Sequence, residues 1–434
     1  MRLSHYVKIY PCPDDPGKLL LYSTKRGAAI RVPESLLVSI TDNTLSNENR
    51  ETLLRLGFLA PDTEAEKREM LEVFSEANRL GTKFTAQVVL NLDCNLACTY
   101  CYEGGMKGRS YMSTDTASLL AGVAESGYID HGKGVELCFY GGEPLMSLDL
   151  IVSLSERLQK STSAKGSGYS FTMVTNGTLL NSSMVDKLLP LGFTGAKITL
   201  DGPRENHDRF RPFVSGKGSF DLIVANVKEV CDRIDIQVGG NYTQENYREF
   251  PRLLDFFLQE GITPERLSLV KFDPVMKSGG EFSLPEFNEG CASTDEPWMM
   301  EASLYLREEI LMRGFHTPKV RPAGCMIENP NDLIVNWDGT LFKCPAMLGW
   351  RDMAIGDLET GIIDYTESYN MEVWKKEECL DCAYLPLCFG GCKYLTLLRS
   401  GRIDDVDCRK GYLDATLEEL VRQDLKYQPK RSLK

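Results

Sequence analysis

Residues 84–105 read FTAQVVLNLDCNLACTYCYEGG. The first nine, rich in β-branched and aromatic side chains, read as a β-strand. Three cysteines, Cys94, Cys98 and Cys101, follow at once in a C-x3-C-x2-C pattern. Tetrahedral thiolate sites take four ligands in nearly every case. Three thiolates on one loop leave a corner open, which is what a catalytic centre needs for a substrate or cofactor. Zinc pairs usually repeat C-x2-C, so this spacing differs; a chance cluster or a partial zinc site is the plain alternative.

That strand opens a series. GVELCFY ends at Gly141-Gly142, YSFTMVT at Asn176-Gly177, AKITL at Asp201-Gly202, IDIQVGGN carries Gly239-Gly240-Asn241, and RLSLVKF comes last. Amphipathic helical stretches such as DLIVSLSERLQK and FDLIVANVKEVCDR separate them. Six β/α units at roughly 30-residue spacing predict a parallel sheet in an open or closed α/β barrel. Ligands of such folds bind at the carboxyl ends of the strands. The three cysteines, Gly141-Gly142-Glu143, Thr175-Asn176-Gly177, Asp201 and Asn241 are therefore expected on one rim.

The flanks differ from this middle. Residues 1–80 read as a small separate unit, with strands in HYVKIY, KLLLYST and AAIRV and helices in ESLLVSI and NRETLLRLGFL. A charged helical stretch, EAEKREMLEVFSEANRL, joins it to the barrel. After a loop rich in Gly, Pro and acidic residues at about 273–294 comes a long helix, EPWMMEASLYLREEILMRG. From Cys325 onward the composition shifts to cysteines and aromatics, closing on an amphipathic helix, YLDATLEELVRQDL. The expected domains are 1–80, 81–315 and 316–434.

Bulk properties narrow the function classes. The chain has 434 residues, 42% hydrophobic and 26% charged, enough for a full core in more than one domain. Its net charge of −13 argues against sequence-independent nucleic-acid binding, which relies on basic surface. No apolar run approaches a membrane span, and MRLSHYVKIYPCPDD lacks a signal peptide's apolar core. The expectation is a cytoplasmic protein that binds neither membrane nor nucleic acid. Ten of the 14 cysteines fall into two groups, Cys94–Cys101 and Cys325–Cys408. In a reducing compartment that clustering reads as metal binding rather than disulfides. Cys12, Cys138, Cys231 and Cys291 stand alone and default to small buried hydrophobes.

The triad, with Tyr100 before its last cysteine, resembles the radical S-adenosylmethionine (SAM) superfamily. That resemblance implies a [4Fe–4S] cluster on Cys94, Cys98 and Cys101, its open iron chelated by SAM, and hydrogen abstraction by a 5′-deoxyadenosyl radical. Gly141-Gly142-Glu143-Pro144 matches the family's GGEP motif and Thr175-Asn176 its TNG motif. TLDGPRENHDRFR, with Asp201, His207 and Arg211, is similar to its SLDG-like stretch. The implied cofactor-binding residues are Tyr102, Gly141, Gly142, Glu143, Thr175, Asn176, Asp201, Arg211 and Asn241. The plain alternatives are a turn at Asp201-Gly202 and a surface or capping role for His207. No catalytic acid or base is assignable.

The second cysteine group resembles the SPASM domain of radical SAM peptide maturases, with a zinc ribbon as the structural alternative. The resemblance implies two auxiliary [4Fe–4S] clusters, three clusters in all. Cys379, Cys382, Cys388 and Cys408 would hold one; Cys325, Cys344 and Cys392 would hold the other. Some relatives carry a further cysteine where this chain has Asn331. The fourth ligand is then either remote, with Cys291 as candidate, or the iron is open to a substrate thiolate. Residues 1–80 resemble winged-helix-like units that dock leader peptides onto an exposed strand.

Over nearly its full length the chain resembles the geopeptide radical SAM/SPASM maturases, through NLDCNLACTYCYEG, FYGGEPL, VTNGTLL, CLDCAYLPLCFGGC and VDCRKGYLDATLEEL. The expected fold is α/β: a partial (β/α)6 TIM-like radical SAM barrel, an N-terminal winged-helix-like peptide-recognition domain and a C-terminal SPASM iron–sulfur domain. The implied partners are a ribosomally made precursor peptide with a leader and a low-potential electron donor of ferredoxin or flavodoxin type. The implied product is a cysteine thioether crosslink. A C–C crosslink, a formylglycine-type oxidation and a non-enzymatic iron–sulfur peptide carrier are the alternatives.

Overall fold

A computed structural model describes residues 1–79, 81–277, 290, 291, 293 and 296–427. Much of the Gly-, Pro- and acid-rich loop read at 273–294 lies outside them. The chain forms two compact units, each assembled from separated stretches. One comprises Met1–Leu80, Lys319–Asn329 and Tyr369–Lys434; the other comprises Gly81–Pro318 and Pro330–Ser368.

The first unit begins with β1 (Arg2–Leu3), β2 (Val7–Pro11), β3 (Lys18–Ser23) and β4 (Ala28–Pro33). Helices α1 (Ser35–Thr41) and α2 (Asn47–Arg55), β5 (Leu59–Ala60) and α3 (Thr63–Arg79) follow. Strands β2, β3 and β4 make an antiparallel sheet in that order. Strand alternation sends its side chains to two cores. Leu21 and Val32 join Ile40, Leu53 and Phe58 of the helical side. Leu20, Tyr22 and Cys12 meet Tyr384, Leu387, Leu413 and Leu417 from the far end of the chain. Both faces are thus covered. No described strand pairs with the outer edge of β2 or β4.

The second unit holds the β/α series. Its strands are β6 (Lys83–Asn91), β7 (Gly134–Gly141), β8 (Tyr169–Thr175), β9 (Phe193–Thr199), β10 (Asp235–Tyr242) and β11 (Leu269–Pro274). Between them lie α4 (Thr114–Gly127), α5 (Leu148–Ala164), α6 (Ser182–Leu188), α7 (Arg204–Phe210), α8 (Phe220–Val230) and α9 (Pro251–Gln259). Helix α10 (Pro297–Met312) comes after β11. Ser113 and Asn181 cap α4 and α6, each accepting a backbone N–H bond. All six strands run parallel in sequential order, as the spacing predicts.

Two further strands, β12 (Asp332–Val335) and β13 (Leu341–Phe342), extend the sheet beyond β6 to eight. Strand β12 pairs parallel with β6 and antiparallel with β13. Most parallel sheets are buried on both faces. Here Val135, Leu137 and Phe139 of β7 are buried, while Glu136, Cys138 and Tyr140 on the opposite face are only half-buried. Strand β8 alternates in the same way. One face of the sheet therefore stays open.

A two-stranded sheet of β14 (Gly356–Asp357) and β15 (Gly361–Ile362) completes that unit. The chain then returns to the first unit with short helices α11 (Glu377–Leu380) and α12 (Leu385–Cys388), then α13 (Lys393–Ser400) and α14 (Lys410–Tyr427). Among the described residues no helix is long and apolar enough to cross a membrane.

Candidate functional site

The loop after β6 carries Cys94, Cys98 and Cys101 and is gripped from two sides. On one side lies the end of β7. Gly142 N–H donates to Asn91 O at 3.0 Å and Glu143 N–H to Asp93 O at 2.7 Å. The Asn91 side-chain amide donates to Glu143 O and Ser147 Oγ. A Cβ on Gly141 would stand 2.2 Å from Asn91 O, and one on Gly142 2.0 Å from Asp93 O. The two glycines are what allow the strand ends to approach this closely. On the other side lie the last residue of α7 and the segment after it. Ala97 N–H donates to Pro212 O, Thr99 N–H to Phe210 O and Val214 N–H to Asn95 O.

Glu143 is fully buried and accepts from Leu145 N–H (3.0 Å), Asn176 N–H (2.9 Å) and Thr175 Oγ1 (2.9 Å). Burial pushes its carboxyl above the usual range, against the pull of those donors. The Asn176 side-chain amide lies 3.6 Å from Cys94 Sγ and donates to Asn95 Oδ1 at 2.7 Å. Leu96 N–H also donates to Cys94 Sγ, at 3.4 Å. Glu143, Thr175 and Asn176 thus form one buried network whose outer donor reaches the first cysteine.

Asp201, Arg211 and Asn241 meet on a residue whose role sequence reasoning missed, Tyr100. Its hydroxyl donates to Asp201 and accepts from Arg211 Nη1 (2.7 Å) and Asn241 Nδ2 (3.0 Å). Asn241 N–H donates to Asp201 Oδ1 at 2.8 Å. The only sequence signal was Tyr100's place between two cysteines. Arg211 is buried and charged, held by the Cys98, Tyr100 and Asp201 groups around it. Its Nε finds no partner among the described residues. Burial raises the Asp201 carboxyl while Arg211 and Tyr100 pull it down.

His207 is a core residue, not a surface one. Asp201 N–H donates to its Nδ1 (3.2 Å), Nε2 bonds Ser219 Oγ (2.9 Å), and that hydroxyl donates to Arg211 O (2.7 Å). Burial and the nearby Arg211 charge keep the ring neutral.

The remaining residues of the loop form a second polar group. Tyr102 hydroxyl bonds Tyr140 hydroxyl across from β7. Glu103 beside it is buried, with Oε1 unpartnered among the described residues, and burial pushes its carboxyl up to about 7. Cys94 and Cys101 are raised by burial as well, Cys101 to about 12. Cys98 adds to the upward shift of both.

In the first unit, Cys379, Cys382, Cys388 and Cys408 line one cavity of about 690 Å³, together with His5, Lys376 and Arg409. The Cys379 thiol is raised by burial and by each of the other three. Cys325 and Cys392 belong to the same unit, and the Cys325 thiol is raised by burial and then by Cys392. Cys344 belongs to the second unit, at the turn after β13. The C-x3-C spacing of 388–392 is bridged by Phe389, Gly390 and Gly391, all left-handed with φ of 44°, 84° and 76°. The Phe389 ring packs edge-on against both Phe74 and Trp374.

Among the described residues no three His, Cys, Asp or Glu side chains converge on a single metal ion. The four thiols instead surround a cavity, and an all-sulfur donor set suits an iron–sulfur group. Cys291 is buried on Met276, its thiol pushed up to about 12 by burial. Cys12 and Cys231 are buried too, and Cys138 is half-buried on the open sheet face.

Residues 88–257 match the Radical SAM superfamily. The Fe-coproporphyrin III synthase of Methanosarcina barkeri is 32% identical over 173 residues, 39% of this chain and 39% of that protein. The chain thus spans about two fifths of the length of that relative. A cysteine-type anaerobic sulfatase-maturating enzyme of Clostridium novyi is 22% identical over 69% of this chain and 85% of its own length. In fold, the chain is similar to Streptococcus suis SuiB bound to precursor peptide SuiA, with a TM-score of 0.55 and 15% identity over 94% of this chain and 98% of that one.

Proposed function

We propose that this chain, whose residues 88–257 form a radical SAM domain, is a maturase that modifies a ribosomally made precursor peptide. One observation carries the reading. A three-cysteine loop at the carboxyl rim of a parallel sheet stands over an open sheet face, and a four-thiol cavity is built into the same chain.

The superfamily implies SAM and one [4Fe–4S] cluster, which when bound supply an electron and a 5′-deoxyadenosyl radical that takes a hydrogen atom from substrate. The chain's own residues prepare the place. Cys94, Cys98 and Cys101 offer three thiolates and leave one corner open. Leu96 N–H and the Asn176 amide donate toward Cys94 Sγ and favour its thiolate. The buried Arg211 charge offsets the thiolates, and its orphaned Nε–H fits a carboxylate-bearing cofactor. Tyr102, Glu143, Thr175, Asp201 and Asn241 are assigned to the same cofactor site. Glu143 and Asp201 act chiefly by fixing neighbouring backbone, because their oxygens already accept bonds within the protein.

Cys379, Cys382, Cys388 and Cys408 are assigned one auxiliary [4Fe–4S] cluster, and Cys325, Cys344 and Cys392 the other. The N-terminal sheet, covered on both faces, offers only its edges, so a leader peptide would bind by adding a strand. The likeness to a structure bound to a precursor peptide supports a peptide substrate. The reaction assigned is thioether formation: a carbon radical on the peptide bonds a cysteine sulfur whose S–H proton goes to solvent, and an auxiliary cluster, when bound, would take the one electron left over. A low-potential protein of ferredoxin or flavodoxin type would supply reduction. The relation to sulfatase-maturating enzymes favours a second reading, oxidation of one cysteine or serine side chain to formylglycine.

The test is anaerobic incubation with SAM, a reductant and short cysteine-containing precursor peptides, beginning with any encoded beside this gene. A maturase releases 5′-deoxyadenosine and changes the peptide's mass. Loss of two hydrogens with a cysteine–carbon crosslink supports the thioether, and a change confined to one side chain supports formylglycine. Release of no 5′-deoxyadenosine by a chain with its full iron content overturns the reading.

A further inference from the structure

The four-thiol cavity is not built by the cysteine-rich region alone. The segment from Glu377 to Tyr384, made of α11 and the turn after it and carrying Cys379 and Cys382, is held by side chains of the N-terminal stretch Met1–Leu80. Tyr6 hydroxyl donates to Leu380 O at 2.8 Å from a fully buried position. Thr24 hydroxyl donates to Ala383 O at 2.6 Å, and His5 Nε2 bonds Asp381 O. Lys67 of α3 reaches Asp381 at 2.8 Å and also pairs with Glu377. These two carboxylates raise the affinity of Lys67 for its proton, so its charge is permanent at any working pH. Beneath, Tyr6, Met70 and Phe74 share a core with Trp374, Leu380, Leu385 and Phe389. Strand β2 adds Lys8, which lies over the Tyr384 ring and lines the cavity with His5.

Two segments joined by so many directed contacts take one geometry together. Backbone carbonyls of residues 380, 381 and 383 are each committed to an N-terminal side chain. Those carbonyls sit one residue or less from Cys379 and Cys382. A shift of the N-terminal sheet would therefore move the two sulfurs. The charge balance is shared as well. Without Lys67, the Glu377 and Asp381 carboxylates would lose their ion-pair partner, leaving Lys376 and Arg409 of the cavity lining as the nearby positive charge.

We propose that the N-terminal stretch Met1–Leu80 is a positioning part of the four-thiol centre, and that Lys67, through its ion pairs with Glu377 and Asp381, raises the centre's reduction potential. This rests on the reading of Cys379, Cys382, Cys388 and Cys408 as an iron–sulfur site. A group that gains an electron is harder to reduce beside added negative charge. Removing Lys67 therefore lowers the midpoint potential, and removing Asp381 raises it. Both carboxylates are at least half exposed, so the shift is modest and shrinks as salt is added. Removing residues 1–80 would disturb this centre as well as any peptide docking, so peptide affinity alone would not interpret it.

The experiment compares reconstituted full-length chains by iron content and by potentiometric titration of the electron paramagnetic resonance signal. Cys379→Ala with Cys382→Ala identifies the signal belonging to this centre; an unchanged iron content in that variant overturns the underlying assignment, separately from the present inference. Lys67→Met is expected to lower the midpoint of that signal, and Lys67→Arg to retain the parent value. Asp381→Asn is expected to raise it, which keeps the test open if Lys67→Met fails to fold. Tyr6→Phe and Thr24→Val are expected to broaden the signal or reduce its iron occupancy. Equal midpoints in Lys67→Met, Asp381→Asn and the parent, or shifts of the same sign in both variants, overturn the inference.

Discussion

Gly142→Ala tests the claim that the end of β7 sets the position of the cysteine loop. The added Cβ would sit 2.0 Å from Asp93 O, 2.6 Å from Asp93 C and 3.0 Å from Leu92 C, all backbone atoms that no rotamer can move aside. Ordinary contact begins near 3.4 Å, so the two strand ends must part by about 1.4 Å, an overpacking cost of ~1–3 kcal/mol. The same movement breaks the Glu143 N–H bond to Asp93 O, which lies one residue from Cys94. Displacement of about 1 Å at reacting groups costs roughly 100-fold in rate. The variant should melt about 2–4 °C lower per kcal/mol lost, bind less iron at the Cys94 site and release 5′-deoxyadenosine roughly 100-fold more slowly. Differential scanning fluorimetry, iron analysis and chromatography of the nucleoside read these. Gly122→Ala is the control: it lies inside α4 with nothing within 4 Å of its Cβ, and should gain ~0.5–1 kcal/mol. Iron content and rate in Gly142→Ala equal to the parent would mean that the end of β7 does not hold the cysteine loop in place.

Three further outcomes are expected. Tyr100→Phe removes the hydroxyl shared by Asp201, Arg211 and Asn241 and orphans buried groups at ~1–3 kcal/mol each, so it should destabilise the chain in urea more than Tyr102→Phe does. Glu103, raised from 4.5 to about 7, binds its proton more tightly folded than unfolded; its stabilising contribution in the metal-free chain is full below pH 4.5 and lost as pH rises through 7, by on the order of 3 kcal/mol, and Glu103→Gln should remove that slope from unfolding free energies measured between pH 4.5 and 8. Gly391→Ala meets both a left-handed φ of 76° and Asp407 O at 1.9 Å, so it should lower iron bound by the four-thiol site while leaving the Cys94 site loaded, as separated by their spectroscopic signals.

The elements, and the chemistry carried by short spacings, are legible in the sequence. Strand and helix periods are local properties, so the six β/α units, the N-terminal strands and the rim placement of Cys94, Glu143, Asn176 and Asp201 could be read from pattern. The glycines of GGEP were legible as a motif. That their Cβ space is filled by Asn91 O and Asp93 O was not, because the contact joins the ends of two different strands.

Tertiary structure alone decided the rest. It made Tyr100 the junction of three distant side chains and turned His207 inward as a neutral core residue. It paired β12 with β6, although the other five strands of the series lie between them in the chain. It also set Tyr6 and Thr24 on the Glu377–Tyr384 segment. Such pairings leave no periodic trace. They arise where a buried hydroxyl, carbonyl or ammonium must find a partner, and only the folded chain determines which one it meets.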